Sequence, residues 1–233
     1  MTHAASHNAT DCTLVLFTKR PRPGVGKQRV AAETDAKFAL ELAERLFSCA
    51  AEDLLAWPGP RAICVDRADD VDWAARQCPG VRVVVQGPGN LGARLQRATE
   101  DLAEGSAPIL FIGSDAPTVD TTYLLDAARA LATHDIVLGA AADGGVVAMG
   151  TRSGWPELEP LPWSTSRLGA ELAAACEASG NSLQWLGPHT DIDTPNALDA
   201  VMGTLALDGR PARRSLVAWL QRTQHELEAR HIA

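Results

Sequence analysis

The rhythm of this 233-residue chain constrains its fold most: short runs of β-branched and aliphatic residues alternate with longer stretches of helical periodicity. Such alternation builds βαβ units, in which parallel strands are joined by crossover helices. The pattern predicts strands at residues 13–18, 61–65, 81–85, 108–112, 135–140 and 182–186, and a short strand at 146–149 that pairs back. It predicts helices at 30–56, 71–77, 91–102, 123–132, 167–178, 197–205 and 213–230. The expected fold class is α/β: a three-layer α/β/α arrangement around a mostly parallel, Rossmann-like sheet. No repeat or linker divides the chain, so residues 13–205 are expected to form one domain. A disordered tail at 1–12 would precede it. A helical extension at 206–233 would follow, packed on the domain or on a dimer partner, which leaves monomer and homodimer both open.

Several classes of function are disfavoured. No apolar run approaches the roughly 18 residues of a membrane span, and residues 1–11 lack the apolar segment of a signal peptide. Cys12, Cys49, Cys64, Cys78 and Cys176 are odd in number and never form a CxxC pair, as expected of buried, reduced thiols in a cytoplasmic protein rather than a zinc site. The formal net charge of −8 argues against nucleic acid or an anionic membrane as partner. Against that background, Lys19, Arg20, Arg22, Lys27 and Arg29 crowd five cations into eleven residues with no acid among them.

In a parallel sheet the ligand sits where the strands end, so the loops after the strands carry the information. The first holds Lys19 to Arg29, with Gly24 and Gly26 giving the backbone freedom to approach an anion. It is not a Walker A loop, because Pro21 and Gln28 stand where Gly and Ser/Thr are needed. Gly87-Pro88-Gly89-Asn90-Leu91-Gly92, after the third strand, spells a GxGxxG, and Asp115 follows at dinucleotide spacing. An NAD(P)-dependent oxidoreductase is therefore a rival reading, weakened because the motif opens the third βα unit rather than the first. Asp115, in Gly113-Ser114-Asp115-Ala116-Pro117 after the fourth strand, can hold a hard cation or cap the next helix. In Asp191-Ile192-Asp193-Thr194-Pro195 the two acids project from one side of an extended segment, and Asp193 or Thr194 can cap the helix that follows. Asp143-Gly144-Gly145 adds an acid beside a flexible glycine pair. A cationic loop and acids at the strand ends are what phosphoryl-type chemistry asks of a protein. The six histidines show no ligand spacing.

Six motifs occur in order: Pro21-x-Pro23-Gly24-x-x-Lys27-x-Arg29, Gly87-x-Gly89-x-Leu91-Gly92-x-Arg94, Gly113-Ser114-Asp115-x-Pro117, Asp143-Gly144-Gly145, Pro162-Trp163-Ser164-Thr165 and Asp191-Ile192-Asp193-Thr194-Pro195. Over residues 13–200 the chain resembles a little-characterised bacterial family with a glycosyltransferase-A-like (nucleotide-diphospho-sugar transferase) fold, of the arsenosugar-biosynthesis or selenodomain-associated transferase type. It is more distantly similar to 2-phospholactate and molybdopterin guanylyltransferases. The resemblance implies that Lys27 and Arg29, with Lys19 and Gly24, hold phosphates, and that Gly87, Gly89, Asn90 and Arg94 line the base and ribose. It implies that Asp115 and Asp193, assisted by Asp191, ligate Mg2+ or Mn2+. Asp143, Gly144, Gly145, Trp163, Ser164 and Thr165 would shape the acceptor side. Lys27, Arg29 and Asp115 are the candidate catalytic residues. The expected reaction is nucleotidylyl transfer from an NTP to a phosphorylated small molecule with loss of pyrophosphate. The alternatives are glycosyl transfer from an NDP-sugar and, more remotely, a non-catalytic nucleotide sensor. Val146 stands where that family carries an aromatic residue.

Overall fold

The computed structural model describes residues 9–103 and 107–232. One seven-stranded sheet has the order β3-β2-β1-β4-β6-β5-β7. Its strands are β1 Thr13–Thr18, β2 Arg61–Val65, β3 Arg82–Val85, β4 Ile109–Ile112, β5 Ile136–Ala141, β6 Val146–Thr151 and β7 Leu183–His189. Only β6 runs against its neighbours β4 and β5; the other pairings are parallel. The helices are α1 Gln28–Glu33, α2 Ala36–Ala56, α3 Val71–Gln77, α4 Leu91–Leu102, α5 Thr121–Ala130, α6 Leu168–Ala178, α7 Pro195–Ala206 and α8 Pro211–Ile232. The all-parallel 3-2-1-4-5-6 order of a dinucleotide-binding Rossmann domain is not this order.

Strand periodicity makes the layers. Leu14, Leu16, Ile63, Val65, Leu110 and Ile112 point to one face, against α2, α3 and α5. Their neighbours Val15, Ala62, Cys64, Ile109 and Phe111 point to the other, against α4 and α6. Both faces of the central strands are therefore dry, as buried parallel strands require. Helix α2 is apolar on two sides. Phe47, Ala50 and Leu54 meet the sheet, while Leu42, Leu46 and Cys49 meet Leu198 and Val201 of α7 and Leu216 and Leu220 of α8. Leu216 and Leu220 of α8 thus pack on α2 of the same chain.

Three expectations are corrected. The helix expected at 30–56 is two helices: Asp35 is extended and its carboxylate accepts from Phe38 N at 2.8 Å, restarting the helix as an N-cap. Strand β6 runs on to Thr151 because it is paired on both edges. Of the expected disordered tail, Ala9–Asp11 is a 3-10 turn and Cys12 is buried; residues 1–8 lie outside the described residues. All five cysteines are buried and free, and burial pushes the Cys12 and Cys64 thiols up to about 12. No helix among the described residues is long and apolar enough to cross a membrane.

At the far end of the sheet, Asp135 ties three strands together. It accepts from Ser182 Oγ at 2.6 Å and Ser182 N at 3.0 Å, and from Arg152 Nη2 at 2.6 Å. The Ser182 bonds, then Arg152, lower its pKa from 3.8 to about 2. A depressed carboxylate stabilises the fold above its unfolded value and loses that contribution as pH falls through the folded value. Asp135→Asn should therefore be less stable at neutral pH, and its unfolding midpoint should drop less than wild type between pH 4 and pH 2.

Candidate functional site

The loop after β1 delivers a buried cation. Gly24 and Gly26 have φ of 74° and 70°, and Lys27, which caps α1, has φ 51°. A left-handed non-glycine residue costs roughly 1–2 kcal/mol, and contacts of its side chain offset that cost. The Lys27 side chain is 4% exposed; Nζ donates to Ile192 O at 2.6 Å and pairs with Asp115 Oδ1 at 2.7 Å and Asp193 Oδ1 at 3.1 Å. Burial opposes the charged form, but the two carboxylates outweigh it and the pKa rises. Lys27 is therefore a permanent cation in the neutral range.

The chain frees both acids for this pairing. Helix α5 is capped by Asp120, which accepts from Tyr123 N at 2.7 Å, so Asp115 is not a cap. Helix α7 is capped by Thr194, with Pro195 in its first turn, so Asp193 is not one either. Between the acids, Ile192 is fully buried among Val30, Leu42 and Leu198, and its N–H donates to Asp115 O at 2.8 Å. With Ile192 buried, Asp193 reaches Lys27 and Asp191 lines the cleft. Asp191 is half-buried; burial, then the negative charges of Asp143, Asp193 and Asp115, raise its pKa. Two carboxylates, Asp115 and Asp193, thus flank one ammonium. Among the described residues no three His, Cys, Asp or Glu side chains are arranged to hold a metal unaided, so Asp115, Asp193 and Asp191 are not a ready-made cage.

Two compartments meet at Asp115. The polar one, of about 440 Å3, is lined by Lys19, Lys27, Gln86, Gly89, Asn90 and Arg94 among others. The other, of about 250 Å3, is lined by Phe17, Leu95, Phe111, Val146, Met149 and Trp163, with Asp191 at its wall. Phe17, Leu91, Gly113 and Asp115 border both.

Not every expected residue arrives in its expected role. Arg29 is exposed on α1 and lines neither compartment. Arg20 and Arg22 pair with the fully buried Asp70, which takes two of the five loop cations out of the cleft. Asn90 caps α4, accepting from Ala93 N at 3.0 Å, and donates to Glu159 O at 2.7 Å. Gly87 lies under Arg97, whose Nη1 would sit 2.6 Å from an added Cβ. Gly92 serves packing, since a Cβ there would lie 2.3 Å from Leu158 O; this accounts for the last glycine of the GxGxxG without a dinucleotide. The Gly144 turn is clasped against Ser166 O, 2.2 Å from where a Cβ would be, and Asp143 Oδ1 accepts from Gly145 N. Of the proposed acceptor residues, Trp163 lines the apolar compartment and Ser164, at φ 65°, the polar one. Thr165 bonds Pro162 O within its own turn. Sequence reading missed Gln86, 1% exposed, whose Nε2 donates to Thr18 O and Cys64 O and so ties β1 to β2 beside the cleft. It also missed His189, which hydrogen-bonds Thr118 across 2.8 Å just beyond Asp115; neither carries a motif.

Comparison with known proteins agrees with this architecture. The family model described as "Uncharacterized protein conserved in bacteria (DUF2064)" matches residues 50–165. None of the curated proteins matches the sequence. Among solved structures, a provisionally named nucleotide-diphospho-sugar transferase from Desulfovibrio desulfuricans G20 superposes with a TM-score of 0.81 at 22% identity, over 93% of this chain and 96% of that one. A cytidylyltransferase from Leptospira borgpetersenii gives 0.53 at 11% identity, over 93% and 96%. The manganese complex of Rv0371c from Mycobacterium tuberculosis H37Rv gives 0.50 at 18% identity, over 82% and 97%. At these identities the likeness is one of fold: the nucleotide-diphospho-sugar transferase fold.

Proposed function

We propose that this chain, which belongs to the DUF2064 family, is a metal-dependent transferase that binds a nucleotide in the polar compartment and an acceptor in the apolar one. The best-supported reaction is nucleotidylyl transfer from an NTP with release of pyrophosphate. One observation carries this reading: Lys27 lies between Asp115 and Asp193, and Asp115 is where the two compartments join. The donor set suits Mg2+ or Mn2+. Hard cations of this kind are held by one or two carboxylates together with phosphate oxygens and water, and the two acids paired with Lys27 exceed its single charge. Such an ion, when bound, neutralises charge on the phosphates and favours attack at phosphorus.

The chain's own residues do the rest. Lys27, fixed by three partners, offers a preorganised positive charge at the junction, and preorganisation spares the cost of reorienting it during reaction. Lys19 and Arg94 border the same space and complement the outer phosphates; Arg94 is held by its Nε–H bond to Gly89 O at 2.8 Å. Arg29 has no part in this arrangement. The names of the Leptospira cytidylyltransferase and of the manganese-bound Rv0371c structure support a nucleotide and a divalent ion.

Glycosyl transfer from an NDP-sugar is the second reading. It is favoured by the name of the Desulfovibrio relative, and it uses the same metal and donor site. A titration of NTPs, NDP-sugars and NAD(P), each with and without Mn2+, tests both, with products followed as pyrophosphate or NDP. Mn2+-dependent NTP binding with pyrophosphate release is expected. NDP release from a sugar nucleotide would install the second reading, and metal-independent NAD(P) binding would overturn both.

A further inference from the structure

We infer that the acceptor is a small neutral molecule, largely hydrocarbon or aromatic, carrying one nucleophilic hydroxyl. The inference rests on the two-compartment reading above and adds the substrate class of its second compartment. No Lys, Arg or His is among the residues lining that space. Its polar side chains are the acids Asp115 and Asp191, whose loops are joined where Ile192 N, next to Asp191, donates to Asp115 O at 2.8 Å. The remaining wall is apolar: Phe17 and Phe111 meet edge to face with centroids 6.1 Å apart, and Leu95, Val146, Met149 and Trp163 complete it. The Trp163 indole N–H, the one neutral side-chain donor on that wall, is already given to Leu158 O at 2.8 Å.

This lining discriminates by what it leaves unpaired. A polyol inserted there would exchange water for hydrocarbon around most of its hydroxyls, each costing on the order of 1–3 kcal/mol. A phosphorylated acceptor would have to place two negative charges among apolar side chains, because no Lys, Arg or His lines this space, while Lys27 and an ion at the acids are engaged by the nucleotide's phosphates. A compact apolar body loses nothing, and about 250 Å3 accommodates one ring with a short substituent. Its hydroxyl then lies at the acidic rim, where the junction brings the nucleotide's phosphates. In the step itself, the hydroxyl oxygen forms a bond to the α-phosphorus. The bond from that phosphorus to the bridging oxygen breaks, pyrophosphate leaves with the electron pair, and the hydroxyl proton passes to water.

Benzyl alcohol and cyclohexylmethanol, compared with glucose and glycerol 3-phosphate, are the probes. Each is titrated calorimetrically against the full chain and then offered as acceptor with the nucleotide that binds. The two alcohols should bind and be turned over; glucose and glycerol 3-phosphate should bind at least about ten-fold more weakly. Val146→Asp, a half-buried position at the start of β6 that lines only the apolar compartment, should weaken the alcohols by about ten-fold or more. Unchanged Mn2+-dependent nucleotide binding in that variant would confirm that it folds. Preference for glycerol 3-phosphate or glucose would overturn this inference and leave the proposed reaction standing. Absence of any nucleotide binding would sink the reaction instead, and the alcohol titrations would still decide the compartment's chemistry. Alcohols that bind wild type and Val146→Asp equally would also overturn the inference.

Discussion

Asp115→Asn is expected to cut turnover by roughly 10²–10³-fold while leaving the chain folded, a loss of the size seen when one preorganised electrostatic group is removed from a reacting centre. The change is isosteric and removes one negative charge at the point where the two compartments meet. Stability should move little. The Asp115 side chain is 47% exposed, its pairing with Lys27 is partly solvent-screened, and Lys27 keeps Asp193 Oδ1 and Ile192 O. A purely structural Asp115 predicts the opposite division, with a lower urea midpoint and unchanged turnover. Steady-state kinetics and urea unfolding on the same preparation separate the two. The binding titration should in addition lose its dependence on Mn2+, because the carboxylate that would hold the ion is gone.

Arg213→Met should destabilise the protein by about 3–5 kcal/mol, the range found when one partner of a buried charge pair is removed. Arg213 is fully buried on α8. Its guanidinium bonds the Asp53 carboxylate, Glu52 Oε2 at 3.0 Å, and the carbonyls of Cys49, Pro117 and Val119 at 2.5, 3.0 and 3.2 Å. Methionine fills similar space but leaves an almost buried Asp53 with only Arg210, at 2.5 Å, to answer it. Three carbonyls lose a charged donor as well. Pro117 and Val119 lie two and four residues after Asp115, so the same variant should raise KM more than its stability at the assay temperature explains. Removing both charges, in Arg213→Met with Asp53→Leu, should recover part of the loss, because a hydrophobic replacement of the whole pair costs less than a broken one. A shift in unfolding free energy below about 1 kcal/mol for the single variant would show that Arg210 carries the network alone.

How much of this was legible beforehand depends on how local the cause is. The αβ order, the bounds of α3 and α4, and the placement of Asp115 after the buried β4 and of Asp193 after β7 follow from hydrophobic period and loop spacing over a few residues. The break at Asp35 was hidden because helical periodicity continues on both sides of it, and only the Asp35 cap geometry marks the restart. The five-cation loop misled in one respect. Its charges are adjacent in sequence, yet Arg20 and Arg22 turn to Asp70, Arg29 stays on the exposed side of α1, and Lys27 goes inward.

What the sequence determined by itself is therefore the set of elements and the chemistry offered by each loop, since both arise from neighbours along the chain. Tertiary structure alone decided which of those loops meet. Lys27 and Asp193 are 166 residues apart and come together at 3.1 Å. That encounter needs β1 and β4 side by side at the centre of the sheet and Ile192 buried against α2 and α7, so that its flanking acids face the junction. The apolar second compartment has the same origin. Phe17, Phe111, Val146 and Trp163 come from four separate segments, and no local pattern brings such residues together: only the packing of a sheet face against its loops does so.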